Sequence, residues 1–209
     1  MQIVAISPSR RSSQVWLKFN DQSFIPLRVD DLVVLKIKKL IDLSEDQYQN
    51  ILSHSVGFLL SEYCLRQIAI SPKVESILRR KLRLYCPKII KKYNYPTDIV
   101  TTEQEQVIHK IKESNLLDEQ KYIDYVIRKY PKKSISEINY LLASLGIDQK
   151  INVSPESEIN KIKELIAKKY KIADLADYNT KNKIISRLYR KGFALEFIKT
   201  AIDESLKVR

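Results

Sequence analysis

Glycine is scarce in this chain of 209 residues, with only Gly57, Gly146 and Gly192 present. The phosphate-binding G-x-G-x-x-G loop and the P-loop both need several glycines within a few residues, because their backbone must turn tightly and approach the phosphates. The sequence excludes both loops, and we therefore predict no nucleotide cofactor.

Cysteine and histidine are equally scarce, with 2 of each. Cys64 and Cys86 lie too far apart for a CxxC redox or zinc motif, and only His54 and His109 could help them to bind a metal. We expect two reduced, partly buried thiols and no metal ion. The first residues lack the apolar segment of a signal peptide, and no stretch approaches eighteen apolar residues. The sequence thus predicts a cytoplasmic protein without a membrane span.

Positive charge is plentiful, since 37 Lys and Arg stand against 25 Asp and Glu and give a net charge of +12. Hydrophobic residues make up 44% of the chain, which is enough for a folded core. The charge favours a polyanionic partner, either nucleic acid or a protein assembly that carries it. The alternative is that lysine-rich helices merely face solvent.

The predicted secondary structure changes near residue 30. Apolar residues dominate or alternate at 3–6, 15–19 and 24–27, around a turn-forming cluster at 20–23, and this pattern predicts a small antiparallel sheet. From Asp30 onward the sequence predicts helices only, with loops at 94–101 and 148–154. Capping residues or a proline in the first turn predict helix starts at Asp30 (running to Ile37), Ser44, Ser71-Pro72, Thr101, Ser134 and Ser154-Pro155.

Three helices share a mostly apolar row with a spacing of four, which places the row on one helix face. The rows are Val74, Leu78 and Leu82; Ser134, Ile138 and Leu142; and Thr180, Ile184 and Leu188. Gly146-Ile147 and Gly192-Phe193 follow the last two rows at a position where glycine ends a helix, whereas Cys86-Pro87 follows the first. Amphipathic helices share such rows by chance as well, but three copies with two matching glycines favour a repeat.

Basic residues cluster on two of the predicted repeats. In the helix after Pro72, Lys73, Arg79, Arg80 and Arg83 are predicted to lie opposite the apolar arc, and a second basic row follows in the last repeat. Tyr85, Tyr122, Tyr140 and Tyr189 fall where core residues are expected. The candidate residues for binding a partner or DNA are Arg66, Lys73, Arg79, Arg80, Lys81, Arg83, Lys132, Lys133, Lys183, Arg187, Arg190 and Lys191.

In this order the motifs resemble the RecX family of recombinase regulators. The segment LRRKL at 78–82 resembles the basic helix of the family's first repeat, and LLDEQKY at 116–122 resembles the opening of the second. Lys133-Ser134 with the following apolar row resembles the rest of the second repeat, and LYRKGF at 188–193 resembles the close of the third. Residues 3–38 resemble a segment that some members place before their repeats.

The sequence departs from the family pattern at several places. Glu119 and Tyr122-Ile123 replace the usual aspartate and phenylalanine-alanine, residues 84–101 look like an insertion, and the third helix of repeat two is shortened to 148–153. These departures concern the curvature of the helical array more than the family assignment.

The resemblance implies a mainly α fold of tandem three-helix repeats, forming an elongated array after a small N-terminal strand-helix element. The predicted boundaries are 1–55 for that element and 56–115, 116–154 and 155–209 for the repeats. The resemblance further implies a monomeric regulator, not an enzyme, that binds the RecA filament on single-stranded DNA. Such a regulator would modulate, and most simply inhibit, ATP hydrolysis, strand exchange and SOS co-protease activity.

Two alternatives differ in class. One is a regulator that binds duplex DNA directly through a basic helix in the major groove. The other is a metal-dependent nuclease or hydrolase that uses Asp118 and Glu119 or Asp98, although this carboxylate pair at a helix start is better explained as capping. His54 beside Ser53 and Ser55, and near Asp46, suggests a triad only weakly, since no nucleophile elbow accompanies it.

Overall fold

The structure is a computed structural model that describes residues 1–10, 13–171 and 175–207. Contacts within the chain divide it into two compact units, Met1–Asp118 and Glu119–Arg209. The described residues are mainly helical after residue 30, with a small N-terminal sheet, and this confirms the predicted fold class. The finer subdivision at 55, 115 and 154 stays a prediction; α2, described below, runs through its first boundary.

The sheet of the first unit is a three-stranded antiparallel meander. Strand β1 (Ile3–Pro8) pairs with β2 (Gln14–Phe19), which pairs with β3 (Phe24–Arg28). Val15 faces Leu27 and Leu17 faces Ile25 across β2 and β3, and all four side chains are buried. The alternating pattern of the sequence thus produces one apolar face, as predicted.

Four helices follow in the first unit: α1 (Val29–Val34), α2 (Glu45–Ile70), α3 (Glu75–Tyr93) and α4 (Thr97–Glu113). Apolar residues of the sheet and of α2, α3 and α4 form one buried cluster, which includes Phe19, Leu60, Leu82 and Ile108. A small sheet is marginally stable alone, and this shared core supplies the apolar surface that it lacks.

Ser55 joins three parts of this unit through polar contacts inside the core. Its hydroxyl donates to the carbonyl oxygen of Pro26 in β3, and its Oγ lies 2.6 Å from the hydroxyl of Tyr95. Because the Ser55 proton is used toward Pro26, Tyr95 is the donor in the second bond. Both side chains are almost fully buried, so these bonds satisfy groups that would otherwise destabilise the fold.

The predicted helix starts are partly confirmed. Ser44 forms the predicted capping box with Gln47. The other predicted starts of the first unit are wrong: α1 begins at Val29 after Arg28 instead of being capped by Asp30, α3 begins at Glu75 after Val74 instead of at Ser71-Pro72, and Thr101 lies one turn inside α4. The loop predicted at 94–101 is much shorter and extends only from Asn94 to Pro96. Asn94 has positive φ and ends α3 abruptly.

The second unit contains the helices α5 (Glu119–Lys129), α6 (Ile135–Ala143), α7 (Pro155–Ala167), α8 (Tyr178–Tyr189) and α9 (Leu195–Lys207). Ser134 and Ser154 cap α6 and α7, as predicted. A buried cluster on α7, α8 and α9 includes Ile162, Leu188 and Ile198. Buried residues recur four positions apart within each helix, as in Ile162 and Ile166 or Ile198 and Ile202, so each helix buries one face.

Residues 148–154 form the predicted loop, and the shortened third helix expected at 148–153 is absent from it. The side-chain amide of Asn139 on α6 explains this extended path. Its oxygen accepts from the Ile151 backbone nitrogen at 2.9 Å, and its nitrogen donates to the Ile151 oxygen at 3.1 Å. Bonds from a side chain thus replace the backbone bonds that a helix would make.

The repeated apolar rows are buried as predicted. At most 5% of each side chain is exposed in the set Leu78, Leu82, Ile138, Leu142, Ile184 and Leu188. Gly146 and Gly192 both have φ near +80° and follow the ends of α6 and α8. The first repeat differs because α3 continues through Pro87 to Tyr93, so no glycine ends it at the equivalent point.

The two glycines predict a stability difference. Replacing either with Ala places a Cβ in the left-handed region, which costs roughly 1–2 kcal/mol. A Cβ at Gly146 meets nothing within 4 Å, whereas one at Gly192 lies 2.8 Å from Ser134 Oγ. We expect Gly192→Ala to lower the free energy of unfolding by about 1 kcal/mol more than Gly146→Ala, measured by urea denaturation. Equal losses of unfolding free energy would contradict this prediction and show that the Ser134 side chain moves aside without a measurable energetic penalty.

Candidate polyanion-binding surfaces

A cleft in the second unit collects four of the predicted basic residues. Its volume is about 560 Å³, and it lies between the start of α6 and the end of α8. We call it the Lys132 cleft; its lining residues are Lys132, Lys133, Ser136, Glu137, Tyr140, Arg190, Lys191 and Gly192. The sequence places these residues in two separate repeats, 57 positions apart at Ser134 and Lys191, and the fold brings them together.

The buried hydroxyl of Ser134 holds the two sides of the cleft together. Its Oγ donates to the backbone oxygen of Lys191 at 2.7 Å and accepts from the backbone nitrogen of Glu137 at 3.2 Å. Gly192 permits this approach because it has no side chain. The side chains of Lys132 and Lys191 therefore start from backbone positions that one hydroxyl fixes.

Glu158 supports the same helix start from α7. Its carboxylate is buried, accepts from the Ile135 nitrogen at 3.4 Å and pairs with Lys161 at 3.0 Å. A carboxylate at the first turn of α6 also complements the positive end of the helix. The start of α6 is thus fixed by a cap and by a buried ion pair.

The cleft is strongly electropositive. Lys132, Arg190 and Lys191 are exposed, and Glu137 is the one acidic lining residue, paired with Lys133. The neighbouring Lys168 ammonium lowers the pKa of Lys132, because two like charges lie close together. A bound phosphate or carboxylate would relieve this repulsion, so the cleft favours an anionic ligand.

Tyr140 is exposed in this cleft, contrary to the prediction that it belongs to the core. Its side chain is 79% exposed, and that of Tyr189 is 63% exposed. Tyr122 is buried as predicted, and Tyr85 is half-buried and stacks on Tyr63 at 4.1 Å. The helical position one residue after the buried row explains the error for Tyr189, since it turns the ring about 100° away from Leu188. An exposed ring among basic groups can stack on a nucleic-acid base.

The second basic row of the last repeat lies on the surface, as predicted. Lys183, Arg187 and Arg190 are exposed along α8. Arg187 Nη1 donates to the Tyr170 hydroxyl at 3.2 Å, so part of its side chain packs against α7's end, while Arg190 continues into the Lys132 cleft.

The first unit carries a second basic surface. Arg80 and Arg83 are exposed on α3, Lys81 is half-buried on the same helix, and Arg66 is exposed on α2. Exposed lysines follow along α3 past Pro87. We call the set Arg80, Arg83, Lys88 and Lys91 the α3 basic face. These four residues fall within about 140° of the helix circumference.

Arg79 does not belong to this free surface, although the sequence predicted it there. Its guanidinium binds both oxygens of Glu105 on α4, at 2.6 and 2.8 Å, and Glu75 at 2.7 Å. Lys112 also bonds Glu75, at 2.8 Å. These hydrogen bonds raise the pKa of Arg79 and lower those of Glu75 and Glu105. The guanidinium therefore joins α3 to α4 and has little capacity left for a phosphate.

Lys73 is also wrongly predicted as exposed. Only 8% of the residue is accessible, and its Nζ donates to the backbone oxygen of Ser71 at 2.7 Å and to the Ser71 hydroxyl. Because α3 begins two residues after Lys73, the helical projection used for the prediction does not apply to it.

Potential catalytic groups have structural partners. His54 Nδ1 lies 3.1 Å from Asp31, and His109 pairs with Glu113 at 3.3 Å. Burial raises the pKa of the free Cys64 thiol to about 12, which suppresses the reactive thiolate. Across residues 1–10, 13–171 and 175–207, no group of three potential ligands is placed to hold a metal, and no helix is long and apolar enough to span a membrane.

Comparison with known proteins agrees with this architecture. The family profile described as RecX, third three-helix domain, matches residues 156–202, which contain most of the buried cluster of the second unit. The crystal structure of regulatory protein RecX covers 97% of this chain, with 98% of that chain included, a TM-score of 0.62 and 18% identity. Residues 156–202 thus match a RecX domain in sequence, and the chain as a whole has a fold similar to that of RecX. No curated protein matched the sequence.

The RecX profile supports one of the motifs noted in the sequence, since LYRKGF at 188–193 lies inside the matched range. The segments at 78–82 and 116–122 lie outside it, and their assignment to RecX repeats stays a prediction.

The contacts of Arg79 predict a pH-dependent contribution to stability. Both glutamates have pKa values lowered below the usual 4.5, so their ion pairs stabilise the folded state above pH 4.5 and lose this effect as the pH falls through the lowered values. We expect Arg79→Ala to destabilise the protein at pH 7 by up to about 1 kcal/mol, because the pairs are exposed. The difference from the unmodified protein should shrink toward pH 3 in urea denaturation. A difference that is the same at both pH values would contradict the assignment.

Proposed function

We propose that this chain is a RecX-type regulator that binds the RecA filament on single-stranded DNA and inhibits its ATP hydrolysis, strand exchange and SOS co-protease activity. The regulatory role and the partner are both what the resemblance to RecX implies. The proposal is supported most by the Lys132 cleft, in which Lys132, Arg190 and Lys191 surround an exposed tyrosine.

The chemistry of the cleft suits a nucleoprotein filament. The Arg190 guanidinium can bind a phosphate or a carboxylate through two hydrogen bonds, while Lys132 and Lys191 supply compact charges beside it. A RecA filament offers both DNA phosphates and protein carboxylates along its length. The α3 basic face of the first unit offers four more cations of the same kind.

A pair of triple variants tests this proposal. Lys132→Ala, Arg190→Ala and Lys191→Ala together remove three charges from the cleft and keep the Lys191 backbone oxygen that Ser134 needs. Lys150→Ala, Lys199→Ala and Lys207→Ala remove three charges from exposed positions outside the cleft in the same unit. Each protein then has a net charge of 12 − 3 = +9.

We expect the cleft triple to need at least about tenfold more protein for half-inhibition of RecA ATP hydrolysis on single-stranded DNA, since each charged contact contributes about 1 kcal/mol or more. The control triple should inhibit almost normally. Unchanged melting temperatures would show that folding is intact, since exposed substitutions change stability by about 0.5 kcal/mol at most. Equal inhibition by both triples would exclude the cleft from filament binding.

Salt gives an independent prediction. If the contacts are ionic, the affinity for the filament should fall steeply between low and physiological salt, because bound cations are released from DNA. For single-stranded DNA the logarithmic slope changes by about 0.7 per phosphate contact. The cleft triple should therefore reduce the slope by about 2 in anisotropy titrations with labelled filaments. An affinity that does not depend on salt would assign the binding energy to apolar contacts.

A direct DNA-binding regulator is the second candidate, and the α3 basic face is the observation that favours it. Four exposed cations on one side of a helix fit the charge of a major groove. Tight, sequence-specific binding to a short duplex without RecA would support this function instead. Substituting Arg80 and Arg83 would then weaken duplex binding while leaving filament inhibition unchanged.

A further inference from the structure

A second aromatic and basic cleft lies in the first unit, away from the residues selected from the sequence except Arg66. Its volume is about 480 Å³, which is in the range of small-molecule sites. Trp16 of β2, Arg66 of α2, and Lys92 and Tyr93 at the end of α3 line it, and we call it the Trp16 cleft.

Two rings of this cleft, Trp16 and Tyr93, form a cluster with Phe24, which lies beside the cleft and does not line it. Trp16 lies edge-on to Phe24 at 5.6 Å and 6.4 Å from Tyr93, measured between ring centroids. Phe24 is 50% exposed, and Trp16 and Tyr93 are half-buried. Trp16 alternates with Val15 and Leu17, whose side chains enter the core, so its ring is on the opposite side of the strand. Such a cluster leaves flat aromatic surface accessible to a ligand.

Cations surround these rings. Lys92 Nζ lies 4.8 Å from the centroid of Tyr93, and Arg10, Arg66 and Lys92 line the cleft together with a single acidic residue, Glu62. The lining charge is therefore 3 − 1 = +2. An aromatic floor with cations at its margin is the arrangement that binds single-stranded nucleic acid, because bases stack on the rings while phosphates pair with the cations.

We propose that the Trp16 cleft binds one nucleotide of a single-stranded nucleic acid, with its base against Trp16 and Tyr93 and its phosphate near Arg66 and Lys92. A duplex is a poor ligand, since its bases are stacked on one another and present only their edges. An acidic peptide satisfies the cations and leaves the rings unused. The proposal does not rest on RecA, because the ligand is the nucleic acid alone.

The sequence offers a direct probe, since Trp16 is the only tryptophan of the chain. We would titrate the unmodified full-length protein with the oligonucleotides dT12 and rU12, with a 12-base-pair duplex and with a poly-glutamate peptide, and follow Trp16 fluorescence. Saturable quenching by either single strand, and much weaker quenching by the duplex and the peptide, is the expected result. Quenching equally strong with the duplex or with poly-glutamate would overturn the proposal, as would no change during single-strand binding detected by anisotropy.

Variants assign the contacts in anisotropy titrations with labelled dT12. Trp16→Ala should weaken binding by about fivefold to 100-fold, the range for one stacked base, whereas Trp16→Phe should retain most of the affinity. Lys92→Ala should weaken it several-fold more than Lys39→Ala, which removes the same charge at an exposed position of the first unit outside both the cleft and the α3 basic face. Equal losses for the two lysine variants, or none for Trp16→Ala, would overturn the proposal. Inhibition of the RecA filament is measured separately. The nucleotide-binding proposal can therefore fail while the proposed function holds, and the reverse is also possible.

Discussion

The bond between the Ser134 hydroxyl and the Lys191 carbonyl is the contact on which the basic cleft of the second unit depends. A single oxygen caps α6 and ties its start to the turn after α8, and Gly192 leaves the space that it needs. The Ser134 side chain is fully buried, so losing this bond would leave a buried hydroxyl without its acceptor, which is unfavourable. The positive charges on either side are thereby held close together despite their repulsion.

Contacts within the chain divide the basic residues into those that stabilise the fold and those that can bind a partner. Arg79 shares its guanidinium between two glutamates, and Lys73 donates to the turn before α3, so both contribute to the fold. Arg80, Arg190 and Lys132 extend into solvent and can meet a partner. The net charge of +12 therefore overstates the charge available for binding, while its distribution still concentrates on two surfaces.

Local patterns in the sequence predict the features that local forces determine. The spacing of apolar residues in each repeat, the glycine that ends α6 and the caps at Ser44 and Ser134 all depend on neighbours within a few residues. The exposure of Tyr140 and the pairing of Arg79 with Glu105 depend on which helices pack together, and a single sequence does not contain that information. The aromatic cluster around Trp16 escapes prediction for the same reason, since its rings come from a strand and from a distant helix end.

Photo-crosslinking tests most directly whether the Lys132 cleft binds the RecA filament, because a crosslink reports the contact itself and not a change in activity. A benzoylphenylalanine in place of Tyr140, irradiated on an assembled RecA filament, should form crosslinks to RecA or to the DNA strand. The same group in place of Tyr178, a tyrosine of the second unit that is 76% exposed and does not line the cleft, should form few. Crosslinks from position 178 alone, or equally from both positions, would contradict a filament-binding role for the Lys132 cleft.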